Sequence, residues 1–197
     1  MIQKSLIAIL FAVTACAGTG GADRDMSNSV DFTAPGNCDL APFNGEMACD
    51  FVSDDGGNRR ILLSFKDTVD TEAGAELAPM NAAERTEWFR QLITGIDAGR
   101  KKTMTAGYSR TGYRLLPPSE TPPGLAACAK SRDVWPGSGG ERIDRVHLHC
   151  WRQNTDPSVA SQLLFSYIEY NRQGTPVSAS FERDANAVMS TIRVDTR

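Results

Sequence analysis

Apolar residues recur with period two in some stretches of this chain and at spacings of three and four in others, which sorts it into strands and helices. Met47 to Val52 and Arg60 to Phe65 alternate as strands do, and Asp54-Asp55-Gly56-Gly57-Asn58 between them is a hairpin turn. The clearest helix runs from about Ala82 to Ala98. Asn81 caps it, Glu84 completes an Asn-x-x-Glu pattern, and Trp88, Phe89, Leu92, Ile93 and Ile96 share one face. Gly99 is its expected stop. Strands follow over Gly107 to Leu116, Ile143 to Trp151 and Gln162 to Tyr170, with residues 125–133 as a further hairpin arm. A last helix starts near Ser180 and runs to about residue 193, with Phe181, Ala185, Val188, Met189 and Ile192 at helical spacing. Strands, helix, strands, helix predicts an α+β fold: a mostly antiparallel sheet packed by two helices, about 82–98 and 180–193.

The first residues break this pattern. Met1 to Ala15 carry one cation, Lys4, and then an apolar run from Leu6 to Val13, too short for the roughly 20 apolar residues that span a bilayer. Val13-Thr14-Ala15-Cys16 resembles the lipobox of bacterial lipoprotein precursors. That resemblance implies a diacylglycerol on Cys16 and cleavage before it. The other reading is an ordinary secretory leader, since Ala15-Cys16-Ala17 also satisfies a small-x-small cleavage rule. Residues 17–35 are rich in Gly, Asp and Ser and read as a flexible tether. The expected organisation is a leader over 1–15, a lipidated Cys and tether over 16–35, and one globular domain over 36–197. A membrane is then the partner at the anchor. The expected location is the periplasmic side of a bacterial membrane, the outer rather than the inner one, because Ala17 and not Asp follows the Cys.

Charge narrows the partners further. The chain has 21 basic and 24 acidic side chains, a net −3. Losing Lys4 with the leader makes it −4, which argues against nucleic acid, whose phosphates require a basic face.

Four cysteines remain after Cys16: Cys38, Cys49, Cys128 and Cys150. An even number in an exported chain implies disulfides, and three pairings exist. A hairpin centred on Gly139, within Trp135-Pro136-Gly137-Ser138-Gly139-Gly140, makes 128 and 150 equidistant from the turn. A tight turn at Asn44-Gly45 would set 38 opposite 51, so a 38–49 bond needs a wider or bulged loop. The expected pairs are 38–49 and 128–150; free thiols or a zinc site are the alternatives, and no C-x₂-C element favours zinc.

The element order, and the closing Ser180-Phe181 through Ala185-Asn186-Ala187-Val188 to Ser190-Thr191-Ile192-Arg193, is similar to the end of PsbP/Mog1-like domains. The resemblance implies an α/β/α sandwich and a binding or assembly module rather than a catalyst.

Candidate chemistry is sparse. The only histidines, His147 and His149, stand at positions i and i+2 of a strand, so both imidazoles face one way and could share a zinc ion if an acid or water completed the set. Arg145 on the same face opposes a cation. Gly107-Tyr108-Ser109-Arg110-Thr111-Gly112 has its second Gly one residue too late for a nucleophile elbow. Asp54, Asp55, Glu182 and Asp184 read as turn and helix-start acids. Pro117, Pro118, Pro122 and Pro123 predict a stiff, exposed, polyproline-like loop that a partner could recognise. The expected function is a membrane-anchored, non-catalytic binding or assembly module of the envelope whose sheet face or Pro117–Pro123 loop engages another envelope protein or a ligand; the alternative is a metal-binding protein or metal-dependent hydrolase built on His147 and His149.

Overall fold

A computed structural model of the chain describes residues 29–102 and 107–195. The expected leader, Cys16 and the tether as far as residue 28 lie outside the described residues. In chain order the strands are β1 (Val30–Asp31), β2 (Ala41–Phe43), β3 (Glu46–Val52), β4 (Asn58–Val69), β5 (Ser109–Leu115), β6 (Ala127–Pro136), β7 (Glu141–Gln153), β8 (Val159–Arg172) and β9 (Arg193–Val194). The helices are α1 (Thr71–Leu77), α2 (Ala82–Lys102) and α3 (Phe181–Ser190). Seven strands form one sheet in the order β2-β3-β4-β8-β7-β6-β5, every pair antiparallel, and β1 pairs with β9 in a small second sheet. The fold is α+β.

Period two along the central strands produces two buried faces. On one, Ile61, Leu63 and Phe65 of β4, Leu163, Phe165 and Tyr167 of β8, and Val146 and Leu148 of β7 meet Phe181, Ala185, Val188 and Met189 of α3. On the other, Trp151, Ala127 and Ala129 lie under Phe89 and Ile93 of α2 and Leu77 of α1. The Phe89 and Trp151 rings stack at 5.9 Å. α2 thus covers the β6–β7 half of one face, and α3 covers the other face.

Both disulfides join the pairs that the spacing predicts. Cys128 and Cys150 are direct cross-strand partners of β6 and β7, fully buried, with Cα atoms 4.1 Å apart. Cys38 and Cys49 have Cα atoms 5.4 Å apart. The loop between β2 and β3 is not wider, however: Phe43 faces Glu46 directly, and Asn44 and Gly45 take φ of 49° and 78°, the left-handed pair that a two-residue hairpin requires. β2 instead ends after three residues, so Cys38 lies beyond the ladder and turns in under a Cys38 N–H to Pro35 carbonyl bond.

Arg59 ties α3 to the sheet. It shares the face of Ile61 and Leu63, and its side chain is wholly buried. Its Nε donates to Glu169 of β8 at 3.0 Å, its Nη1 to Asp184 of α3 at 2.7 Å and to the Tyr167 hydroxyl at 3.0 Å. Its Nη2 donates to Asp55, Ser178 and Ser180. Ser180, at the start of α3, therefore spends its hydroxyl on Arg59 and Asp55 rather than on capping. Burial would raise the Glu169 carboxyl, but hydrogen bonds from Asn171, Ser178 and Arg59 outweigh it and hold the group below the ordinary range. Asp184 is lowered in the same way, against its own burial, by Arg59, Ser180 and Arg183. Asp55 is lowered by hydrogen bonds from Ser180 and Ser53.

Several boundaries differ from expectation. There are three α-helices among the described residues, not two: α1 was invisible to periodicity because Leu77 is its one large apolar residue. Asp70 caps α1 by accepting from the Glu72 and Ala73 amides, and Gly74 lets it approach Ser158 so closely that a Cβ would sit 2.6 Å from the Ser158 Cα. α2 runs past Gly99 to Lys102, while the Asn81/Glu84 box forms as predicted. α3 stops at Ser190, because residues 193–194 are claimed by pairing with β1. That pairing also moves the domain boundary: Val30 and Phe32, placed in the tether, pack on the α3-side core, with Phe32 edge-on to Phe165 at 5.4 Å.

Replacing Cys128 and Cys150 together by Ala should cost about 2–4 kcal/mol in urea unfolding. Its loop spans 22 residues against 11 for Cys38–Cys49, so the 128–150 bond should be worth about 0.6 kcal/mol more by loop entropy alone. Equal losses for the two double variants would contradict that ordering. Arg59→Met strands buried Glu169 without its partner and should cost about 3–5 kcal/mol, whereas Arg60→Met, losing a solvent-exposed pair with Asp50, should cost under about 1 kcal/mol. The folded pKa values of Asp55, Glu169 and Asp184 lie below their unfolded ones, so their contribution is complete above the unfolded range near pH 4 and is lost as pH falls through the lower folded values. Wild-type unfolding free energy should therefore drop steeply below about pH 4, with a shallower drop in Arg59→Met.

Candidate functional site

The two histidines lie on the α2 side of β7, beside the strand partners that antiparallel register gives them. Ser131 of β6 stands across from His147 on one side and Ser166 of β8 on the other. Ile93 and Ile96 of α2 roof them, and Tyr113 and Arg110 of β5 close the flank. His147 is 6% exposed and His149 5%. α2 sits directly above this part of the sheet, which a sequence pattern for β7 alone could not reveal.

The imidazoles are held by neighbours on β8. His147 Nδ1 is 2.9 Å from the Ser166 hydroxyl. Gln162 Nε2 lies 2.6 Å from His149 Nε2. The rings are tilted, with centroids 6.3 Å apart, and His149 is 5.8 Å from the Trp151 ring. Among the described residues no group of three or more His, Cys, Asp or Glu side chains is placed to hold a metal ion. A zinc ion at this pair would have to displace the Gln162 contact and recruit its remaining ligands elsewhere.

A serine hydroxyl on an imidazole nitrogen is the first contact of a nucleophilic pair. Here Ser166 is itself buried, and the cavity beside the rings measures about 10 Å³, the room of one water molecule. The arrangement is suited to hold position and a water, not to seat a substrate carbonyl. The Gly107–Gly112 stretch provides no elbow either: Ser109 is exposed on the edge strand β5, and Gly112 lies at a register shift between Thr111 and Arg114.

Beyond the histidines the same face becomes an ion-pair cluster. Asp133, fully buried, accepts from Arg110 at 2.7 Å and Arg145 at 2.6 Å. Burial would raise its carboxyl; the two guanidiniums overcome that and hold it below the usual range. Arg145 also stacks over Trp135 at 4.6 Å, and Trp135 on Tyr108 at 6.1 Å. Burial pushes the Tyr108 hydroxyl up, with the Asp133 charge adding to it. Ser131, Asp133, Gln162 and Ser166 were missed by reading the histidines alone. The hairpin arithmetic that pairs 128 with 150 also sets 131 against 147 and 133 against 145, so half of this cluster was within reach.

The proline segment is exposed along most of its length, as its composition predicts, but is not one uninterrupted extended run. Pro118–Glu120 form one 3-10 turn, Pro122 is buried, and the Pro123 carbonyl accepts from the Val194 amide, while Arg114 pairs with Glu120 at 2.6 Å. Pro117, Pro118 and Pro123 remain exposed. β9 needs an acceptor at its edge, and the segment turns inward to provide it.

No helix among the described residues is long and apolar enough to cross a membrane. No family model matches the chain, and no curated protein matches its sequence. Among solved structures the chain is similar to the crystal structure of LpqN, a protein involved in cell envelope biogenesis of Mycobacterium tuberculosis, with a TM-score of 0.50 and 10% sequence identity, over 91% of this chain and 87% of LpqN. At that identity the likeness is one of fold.

Proposed function

We propose that this protein is an exported, membrane-anchored lipoprotein of a bacterial envelope, acting as a non-catalytic binding or assembly module. The observation that carries the reading is the Cys128–Cys150 bond, buried in the middle of the sheet beside a second bond at Cys38–Cys49. Cross-links of this kind persist in oxidising compartments and not in a reducing cytosol. An apolar leader ending in Val13-Thr14-Ala15-Cys16 supplies the route out and the attachment point. Two or more acyl chains on Cys16 hold a protein at a bilayer stably, each buried CH₂ adding about 0.8 kcal/mol.

The fold adds two supports. Helices on both faces of an antiparallel sheet agree with the α/β/α arrangement implied by the resemblance to PsbP/Mog1-like domains, and that resemblance implies binding rather than chemistry. LpqN, whose fold is similar, is involved in cell envelope biogenesis.

Cys16→Ser tests the anchor. The wild-type protein should partition with membranes and yield an acylated amino terminus by mass spectrometry, and the variant should move to the soluble envelope fraction. Equal membrane association of both proteins would overturn the reading.

A further inference from the structure

Two leucine pairs interrupt the alternation of the central strands. Leu62-Leu63 of β4 and Leu163-Leu164 of β8 each send one side chain into the α3-side core and the other, Leu62 and Leu164, to the opposite face, where both are half-buried. An antiparallel strand that shows one face to water ordinarily carries polar residues there. α2 covers only the β6–β7 half of that face, and β2, β3, β4 and β8 form an open half beside it. Phe43 and Val52, 42% and 54% exposed, stand on the same open half. They are two of the three large apolar side chains exposed among the described residues.

The charges of this half are sorted by strand. β3 contributes Glu46 and Asp50, both acids, and β4 contributes Arg60 and Lys66, both cations. Asp50 and Arg60 are cross-strand partners and pair at 2.6 Å, whereas Glu46 and Lys66 make no ion pair among the described residues. The boundary between β3 and β4 is also the midline of the four open strands. A two-fold axis along that line, in the plane of the contact, sets β3 of one copy over β4 of the other, and β2 over β8. Each acidic column then meets a basic one, Glu46 over Lys66 and Asp50 over Arg60 of the second copy. This is the self-complementarity that an isologous contact requires. An axis across the strands would instead lay β3 on β3, acid against acid.

Shape agrees with charge. Stacked sheets lie about 10 Å apart, and a helix with its side chains is about 10–12 Å thick. A second sheet therefore sits at the level of α2, with its short edge strand β2 beside that helix.

We propose that the open half of this face is a self-complementary contact through which two copies of the chain associate. It names a partner for the binding or assembly module proposed above and requires no acyl anchor. The footprint, about 19 Å across the four strands and about 20 Å along them, is small beside the roughly 800 Å² per partner of a standard interface. The dimer is accordingly weak and reversible.

Sedimentation equilibrium of the chain from residue 16 onward, with Cys16→Ser so that it carries no lipid, tests the contact. The chain should pass reversibly from monomer to dimer as its concentration rises through the micromolar range, and added salt should weaken the dimer. Leu62→Lys sets an ammonium in the middle of the contact and should leave the chain monomeric over that range with an unchanged circular dichroism spectrum. Glu46→Lys and Lys66→Glu should each weaken the dimer, and the two together should restore it, which a merely structural role for either side chain would not do. In intact cells, benzoylphenylalanine in place of Val52 should on irradiation link two copies of the native chain. A monomer at every concentration, a dimer that Leu62→Lys leaves intact, a charge exchange that restores nothing, or an adduct to a different protein or a lipid overturns the proposal. Its failure leaves the anchor untouched, because that reading is decided by the acylation of Cys16 and the fractionation of Cys16→Ser.

Discussion

A guanidinium taken wholly out of water must have its N–H groups answered, and Arg59 meets that demand with donors on all three nitrogens directed to β8, α3 and the β3–β4 turn. The constraint is geometric as much as energetic. Glu169 and Asp184 come together only when α3 lies with its first turn against the end of β8, and once it does, Phe181 and Ala185 fall onto Tyr167, Leu163 and their neighbours. The buried charge selects the docking, and the apolar face beneath stabilises it. Replacing the network by apolar residues need not weaken the domain; removing one member leaves the others stranded.

The opposite face is organised differently. α2 covers only the β6–β7 half, and the layer beneath it passes from apolar at Trp151 and Phe89, through the two imidazoles, to the Asp133 ion pairs. Each step is satisfied locally: stacking at one end, hydrogen bonds to β8 in the middle, paired guanidiniums at the other. Such a graded layer fixes the helix in one register along the sheet, because sliding it would put an isoleucine over a carboxylate. At the apolar end a small groove lies between α1, α2 and Trp151.

The histidines show why chemistry was harder to read than fold. Positions i and i+2 correctly put both rings on one side, yet whether that side met water, metal or a helix depended on α2, more than fifty residues earlier. Their partners Ser166 and Gln162 come from the next strand, and nothing in either segment marks them. The proline segment was legible in part: most of it is exposed as composition predicted, but Pro122 is buried and the Pro123 carbonyl accepts from the Val194 amide, a contact that only β9 supplies.

What the sequence determined by itself was local and periodic. Alternation gave the strands from Met47 onward, the Asn81/Glu84 box gave the start of α2, and equal distances from the 139 turn gave the Cys128–Cys150 pair, since register in a tight hairpin follows from counting. Tertiary structure alone decided what joins segments far apart in the chain. It selected Arg59 over its neighbour Arg60 for burial, paired β1 with β9 across the length of the domain, and cut α3 short so that residue 193 could enter that pair. The physical reason is the same in each case: periodicity tells a residue which way it points, but only packing supplies what it meets there.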